Sequence, residues 1–184
     1  MIINGGTGNG YAVGVNEENS LKVSAITTTV EHHMNHHDGL AYNLIFSATP
    51  TATGDCFVYI KNTDDADMSF EGIDLWNTAS EYIDIKLNDS GTATGGTAIT
   101  PINSNAGSGN EADGTFEAGA NITGLSGGKT AYRIYHKGST GMVHYNFEQD
   151  IILPKNKTLT LYAELGGTPL GGNIIFNCHT VDLG

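Results

Sequence analysis

Apolar residues recur mostly at every second position along this chain, in short runs separated by glycine, asparagine, aspartate and serine. Such alternation marks strands with one covered and one open face, because successive side chains on extended backbone point to opposite sides. In LAYNLIFS, Tyr42, Leu44 and Phe46 alternate with Asn43, Ile45 and Ser47. EYIDIKL sets Ile83, Ile85 and Leu87 against Asp84 and Lys86, and the segment after PKNK puts Leu159, Leu161, Ala163 and Leu165 on one face. NIIFNCHTV aims Ile174, Phe176 and Cys178 one way and Ile175, Asn177 and His179 the other. LKVSAITTTV (21–30) is rich in β-branched residues, and MSFEGIDLW follows the turn-like NTDDAD. CFVYIKN (56–62) is almost continuously apolar, as expected of a strand covered on both faces. AYRIYH and MVHYNF flank KGSTG, a glycine-containing hairpin signal, and IILPKNKTLTLYAEL reads as strand, turn, strand.

These runs amount to about eight or nine short strands with turn chemistry between them, the pattern of a sandwich or barrel. No stretch carries a 3.6-residue apolar period, so at most one or two helical turns are expected. Eight strands in two sheets match a jelly roll, and the expected fold is an all-β, jelly-roll-like, two-sheet antiparallel sandwich. An immunoglobulin-like sandwich is the runner-up, but Trp76 ends its run and Cys178 lies far beyond it, so the Cys, Trp, Cys spacing is missing. Residues 1–20, rich in glycine and asparagine, read as an extended N-terminal arm that orders only against a neighbour or its own domain. Residues 21–184 then form a single domain. The polar stretch 88–128 is too long for one plain loop. It holds short strands at TAITPI and GTFEAG, or else forms a surface excursion suited to touching a neighbour.

Composition supports an all-β chain and excludes several functions. The 184 residues include 25 glycines, which supply positive φ at turns. Eight basic against 20 acidic residues give a net charge of −12. No Lys/Arg cluster is present to neutralise phosphates, so nucleic acid is not expected as a partner. An anionic membrane surface would repel the chain, and no apolar run of about 20 residues is long enough to span a bilayer. The start, MIINGGTGNG, lacks the basic and apolar regions of a signal peptide. The sequons at Asn88, Asn121 and Asn156 therefore carry little weight. Cys56 and Cys178 each sit in an apolar run and are expected to be reduced and buried.

Candidate chemistry is sparse. In EHHMNHHDG, His32 and His36, and His33 and His37, have i, i+4 spacing, which on a helix would turn two imidazoles toward one Zn²⁺ or Ni²⁺. The cluster sits between two strands and is not an HExxH motif, so the plainer reading is a polar surface loop. Four clustered imidazoles would also sense pH near about 6. Asp64, Asp65 and Asp67 offer oxygen ligands for Ca²⁺, but the EF-hand pattern is not met and an acidic turn is the simpler reading. GGTGNG and GSGN lack the strand, helix and lysine of a phosphate cradle. Ser20, Ser24, Ser47 and Ser69 carry no G-x-S-x-G elbow, and Cys178 and His179 fall on opposite faces of one strand. Neither catalysis nor a cofactor is expected.

The order of features resembles a family of small bacteriophage virion proteins with a jelly-roll or similar β-sandwich domain. The matching segments are GGTGNG, NSLKVSAITTTVEHH, DGLAYNL, CFVYIKNTDDADMSFEGIDL, GGTAITPINSNAGSG and the late ILPKNKTLTLYAEL hairpin. That resemblance implies an auxiliary capsid role, as a cement or decoration protein that clamps the major capsid protein of the phage head, often as a homotrimer. The virion, assembled in the bacterial host cytoplasm, would then be the place of action. Related domains also occur in tail, collar and fibre components, and a receptor- or glycan-binding module is the alternative. In that case Trp76, Tyr135 or Tyr162 would stack on sugar rings, although Trp76 is expected in the core.

Overall fold

The structure is a computed structural model that describes residues 2–4, 10–12, 39–139 and 141–179. The expected strand at 21–30 and the candidates His32, His33, His36 and His37 lie outside the described residues. Near the start, β1 (Ile2–Asn4) and β2 (Gly10–Ala12) pair antiparallel with each other and join neither of the larger sheets. The sandwich is built from β3 (Ala41–Ala48), β4 (Cys56–Asn62), β5 (Asp67–Asn77), β6 (Glu81–Leu87), β7 (Ser90–Thr94), β8 (Thr97–Ala98) and β9 (Ile102–Asn103). It continues through β10 (Gly114–Ser126), β11 (Lys129–His136), β12 (Val143–Leu153), β13 (Thr158–Ala163) and β14 (Leu170–His179). No helix occurs among the described residues.

Two sheets face each other. The first has the order β11-β6-β13-β4-β10-β7, with β8 also on β10, and the second has β12-β5-β14-β3-β9. The pairs β3·β14, β4·β13, β5·β12 and β6·β11 are all antiparallel. The chain is thus one long ribbon of four successive strand pairs, rolled so that consecutive pairs fall in alternate sheets. This is the jelly-roll path of two interlocked Greek keys.

The rolled ribbon corrects two local expectations. KGSTG does not close a hairpin, because β11 belongs to the first sheet and β12 to the second. The turn at PKNK likewise arches from β12 across to β13. Turn chemistry in the sequence marks a reversal of direction, but whether the two strands then pair depends on which layer each must cover.

The alternation of apolar residues holds where both sheets face the core. Tyr42, Leu44 and Phe46 of β3 point inward while Ile45 is 64% exposed. Ile83 and Ile85 of β6, Leu159 and Leu161 of β13, and Ile174, Phe176 and Cys178 of β14 complete the interior. β4 is covered on both sides for a reason outside its own sequence. Residues 88–128 emerge at the tip of the ribbon between β6 and β11, and within them GTFEAG opens the 13-residue strand β10. β10 pairs with the open edge of β4, then breaks register between Ala118 and Ile122. Ile122 thereby packs with Cys56 and Tyr59 on the outward side of the first sheet, next to Ala93, Leu125 and Tyr162. β7 lies close against this folded-over half of β10. A Cβ on Gly91 (φ +107°) would stand 2.0 Å from the carbonyl oxygen of Gly124, so only glycine admits the approach.

Candidate interaction face

The outward side of β6 and β11 gathers aromatic and charged side chains in register. Tyr135 stands opposite Tyr82 and Arg133 opposite Asp84. The two tyrosine rings lie 5.1 Å apart between centroids. Arg133 grips Asp84 with Nε to Oδ1 at 2.6 Å and Nη2 to Oδ2 at 2.8 Å. The hydrogen bonds and charge of Arg133 hold the Asp84 carboxyl below its ordinary range. The Arg133 guanidinium also stands 5.7 Å from the Tyr82 ring, and the Lys86 ammonium 3.7 Å from that of Tyr162. Thr53, Gly54, Ala163 and Glu164 close a shallow hollow around these groups. Tyr82 is 41% exposed and Tyr135 is 55% exposed. Clustered exposed apolar surface rimmed by charge is the usual mark of a contact site.

Two of the three proposed ring-stacking residues belong to this face, Tyr135 outermost and Tyr162 half-buried under Lys86. Trp76 does not, and its expected place in the core is corrected. It lies half-buried on the outward side of β5, its indole laid over Gly171, while Ile73 and Leu75 take the inward positions. The missing Cβ at Gly171 makes room for that ring. Tyr82 escaped notice in the sequence, where a tyrosine preceding Ile83 reads simply as one position of an alternating strand.

The other candidates are dispersed. Cys56 and Cys178 are free and buried, and burial pushes both thiols up to about 12, so neither supplies a thiolate near neutral pH. NTDDAD is the arch between β4 and β5. The Asn62 amide ties it down through the carbonyls of Ala66 and Leu153, and Asp65 pairs with Lys155 at 2.7 Å. Among the described residues, no group of three or more His, Cys, Asp or Glu side chains is arranged to hold a metal ion. Nor is any described helix long and apolar enough to cross a membrane.

One polar cluster is buried at an end of the sandwich. Glu81 and His136 are cross-strand partners and both face inward. Glu81 accepts from Asn77 Nδ2 and from the Leu165 amide, and His136 Nδ1 lies 3.2 Å from the Tyr145 hydroxyl. His136 Nε2 and Asn77 Oδ1 meet no partner among the described residues. Burial raises the Glu81 carboxyl and lowers the His136 imidazole from their usual values. Because the folded chain holds His136 neutral below the ordinary imidazole value of about 6.5, this residue withdraws stability as pH falls through that value. Glu81 acts in the opposite sense and at lower pH. Chemical denaturation at pH 8 and pH 5.5 is expected to show a loss that is smaller in His136→Phe; equal losses in the two proteins would exclude this role.

No family model matches the chain, and no curated protein or solved structure matches it either.

Proposed function

We propose that this chain is a structural protein of a bacteriophage virion, an auxiliary capsid protein of the cement or decoration type. In this reading it binds the major capsid protein and acts as a homotrimer. The observation that carries it is the β6–β11 face, where Tyr82 and Tyr135 stand open to solvent beside a fixed Arg133–Asp84 pair. A face of this kind supplies area and orientation without reactive groups. A stable contact buries about 1,200–2,000 Å² in total, and repetition over a shell multiplies weak contacts. The resemblance of the sequence's pattern and composition to small phage virion proteins points to the same reading, and the jelly roll offers two broad sheets to neighbours.

The test is a copy count by quantitative mass spectrometry of purified particles. Hundreds of copies per particle are expected of a shell component. A handful would move the chain to a tail, collar or fibre, and absence from particles would overturn the virion reading. The hollow around Tyr82, Asp84 and Arg133 also admits a receptor- or glycan-binding reading. Cations already stand over the Tyr82 and Tyr162 rings, which leaves Tyr135 as the ring to stack on a sugar. A glycan array signal abolished by Tyr135→Ala would favour that alternative.

A further inference from the structure

The two edges of β3 are used unequally. On one edge β14 pairs in unbroken register from Ala41 to Ala48. On the other, β9 pairs only with Tyr42 and Asn43, and the chain before Ile102 comes across from β8 in the first sheet. The Cys178 amide donates to the Leu40 carbonyl and the Ser104 amide to that of Ala41. Even-numbered residues of β3 therefore address β14 and odd-numbered ones the opposite edge, as antiparallel pairing requires. Ile45 and Ser47 thus turn their N–H and C=O groups away from β14, where no described strand receives them. Beside this half of β3 lies a groove of about 400 Å³ between the sheets. Phe46 and Ala48 line one side of it, with Thr97, Ile99, Ala118 and Gly119 opposite, and none of its lining residues carries a charge. Open edges are usually guarded by lysine, proline or a bulge, and AYNLIFSA has none of these.

We propose that this edge and groove are the docking site of residues 21–30 of the same chain, LKVSAITTTV, added antiparallel beside Leu44–Ala48. These ten residues lie outside the described ones, and the proposal does not rest on the virion reading. Their β-branched run suits a strand position, and Lys22 is their only charge, which matches an uncharged groove. The chain that follows them ends on β3 itself. Residues 31–38 lead to Gly39, whose carbonyl oxygen accepts from Asn103 Nδ2 at 2.6 Å. From Gly39 to Ile45 along an extended strand is ~20 Å. Eight extended residues span up to ~26–29 Å, so the tether reaches the unpaired half of β3 and clears β9. A connection that turns back in this way sets the added strand antiparallel to β3. A tether so short also holds its segment at an effective concentration in the millimolar range, which a strand from any other chain must outcompete. Side chains of the added strand level with Phe46 enter the groove, and its backbone pairs with Ile45 and Ser47.

Amide hydrogen exchange of the full chain tests this. The Ile45 and Ser47 amides are expected to exchange about a hundredfold or more slowly than in unstructured peptide. Thr27→Pro with Thr28→Pro removes one donor facing β3 in either register, so protection at Ile45 and Ser47 should fall at least tenfold. Val23→Asp with Ile26→Asp, which keeps every backbone donor, sets one carboxylate toward the groove in either register and should give the same loss. In both variants Leu44 and Phe46, which address β14, should exchange as before, showing that the sandwich is intact. If the proline pair loosens the whole sandwich, the aspartate pair decides. Free exchange of Ile45 and Ser47 in the native protein, or protection there that neither pair of substitutions lowers, would overturn the proposal. Protection that rises with protein concentration would overturn it as well, because the strand would then come from a second copy.

Discussion

Phe176→Ala is expected to lower the unfolding free energy by roughly 3–5 kcal/mol, the usual range for truncating a fully buried phenylalanine. For a chain of this length that is a fall in melting temperature of about 10–15 °C. Phe176 is fully buried on β14, in the middle of the second sheet. Its ring stacks on Tyr42 at 5.5 Å and Phe116 at 5.8 Å and lies tilted against Phe70 at 5.5 Å. Tyr42 and Phe70 belong to the neighbouring strands of its own sheet, whereas Phe116 comes from β10 across the core. The alanine would therefore open a cavity where the two layers and the excursion meet, and three aromatic rings cannot close it without moving their strands. Phe176→Leu keeps most of the volume and should cost about 1 kcal/mol. Denaturant unfolding followed by circular dichroism measures both; an alanine variant within 1 kcal/mol of the native protein would show that the layers do not depend on this ring.

The inward positions were legible because alternation records which face of a strand meets the core. Tyr42, Leu44 and Phe46, or Ile83 and Ile85, can be assigned from spacing alone. Partnership was not legible. KGSTG has hairpin composition, yet the rolled ribbon sends β11 and β12 to different layers, and turn residues encode a bend without encoding which edge the next strand will join. The continuous apolar run of CFVYIKN did announce two covered faces. What covers the outer one, Ala93, Ile122 and Leu125 from a largely polar stretch, was hidden because three such residues spread over two strands leave no periodic trace. Trp76 shows the reverse case: a large aromatic suggests the core, but its position one residue out of phase with inward Ile73 and Leu75 sets it outside. The β6–β11 face was half-visible, with Tyr135 and Tyr162 noticed, Asp84 and Lys86 placed on the open face of their strand, and Tyr82 and Arg133 passed over. Their significance comes from cross-strand register, which only the folded sheet supplies.

Asp89 is the residue on which that excursion is hinged, and its removal is the second large effect expected. It follows β6 after Asn88 and is only 6% exposed. Its Oδ2 accepts from the Thr160 hydroxyl at 2.6 Å and from the Tyr162 hydroxyl at 3.1 Å, and its Oδ1 from the Gly128 amide at 2.9 Å. Its own carbonyl oxygen accepts from Thr158 at 2.8 Å. Burial, with Cys56 and Asp89 nearby, keeps the Tyr162 phenol well above its ordinary range, so it remains a donor. One carboxylate thus joins the two ends of the 88–128 segment, at Asp89 and Gly128, to the outward side of β13. Asp89→Ala would leave the Thr160 hydroxyl buried without its charged acceptor, and a loss of roughly 3–4 kcal/mol is expected from three bonds to a charged group that are not fully additive. Asp89→Asn keeps one acceptor oxygen but turns a second donor toward existing donors, so about half that loss should follow. Amide hydrogen exchange separates this from general weakening: Gly128 and the β7–β10 pairing should lose protection first, while Ile174 and Phe176 exchange as before. Uniform loss across both sheets would mean that Asp89 supports the whole sandwich, and unchanged protection at Gly128 would show that the excursion holds itself in place.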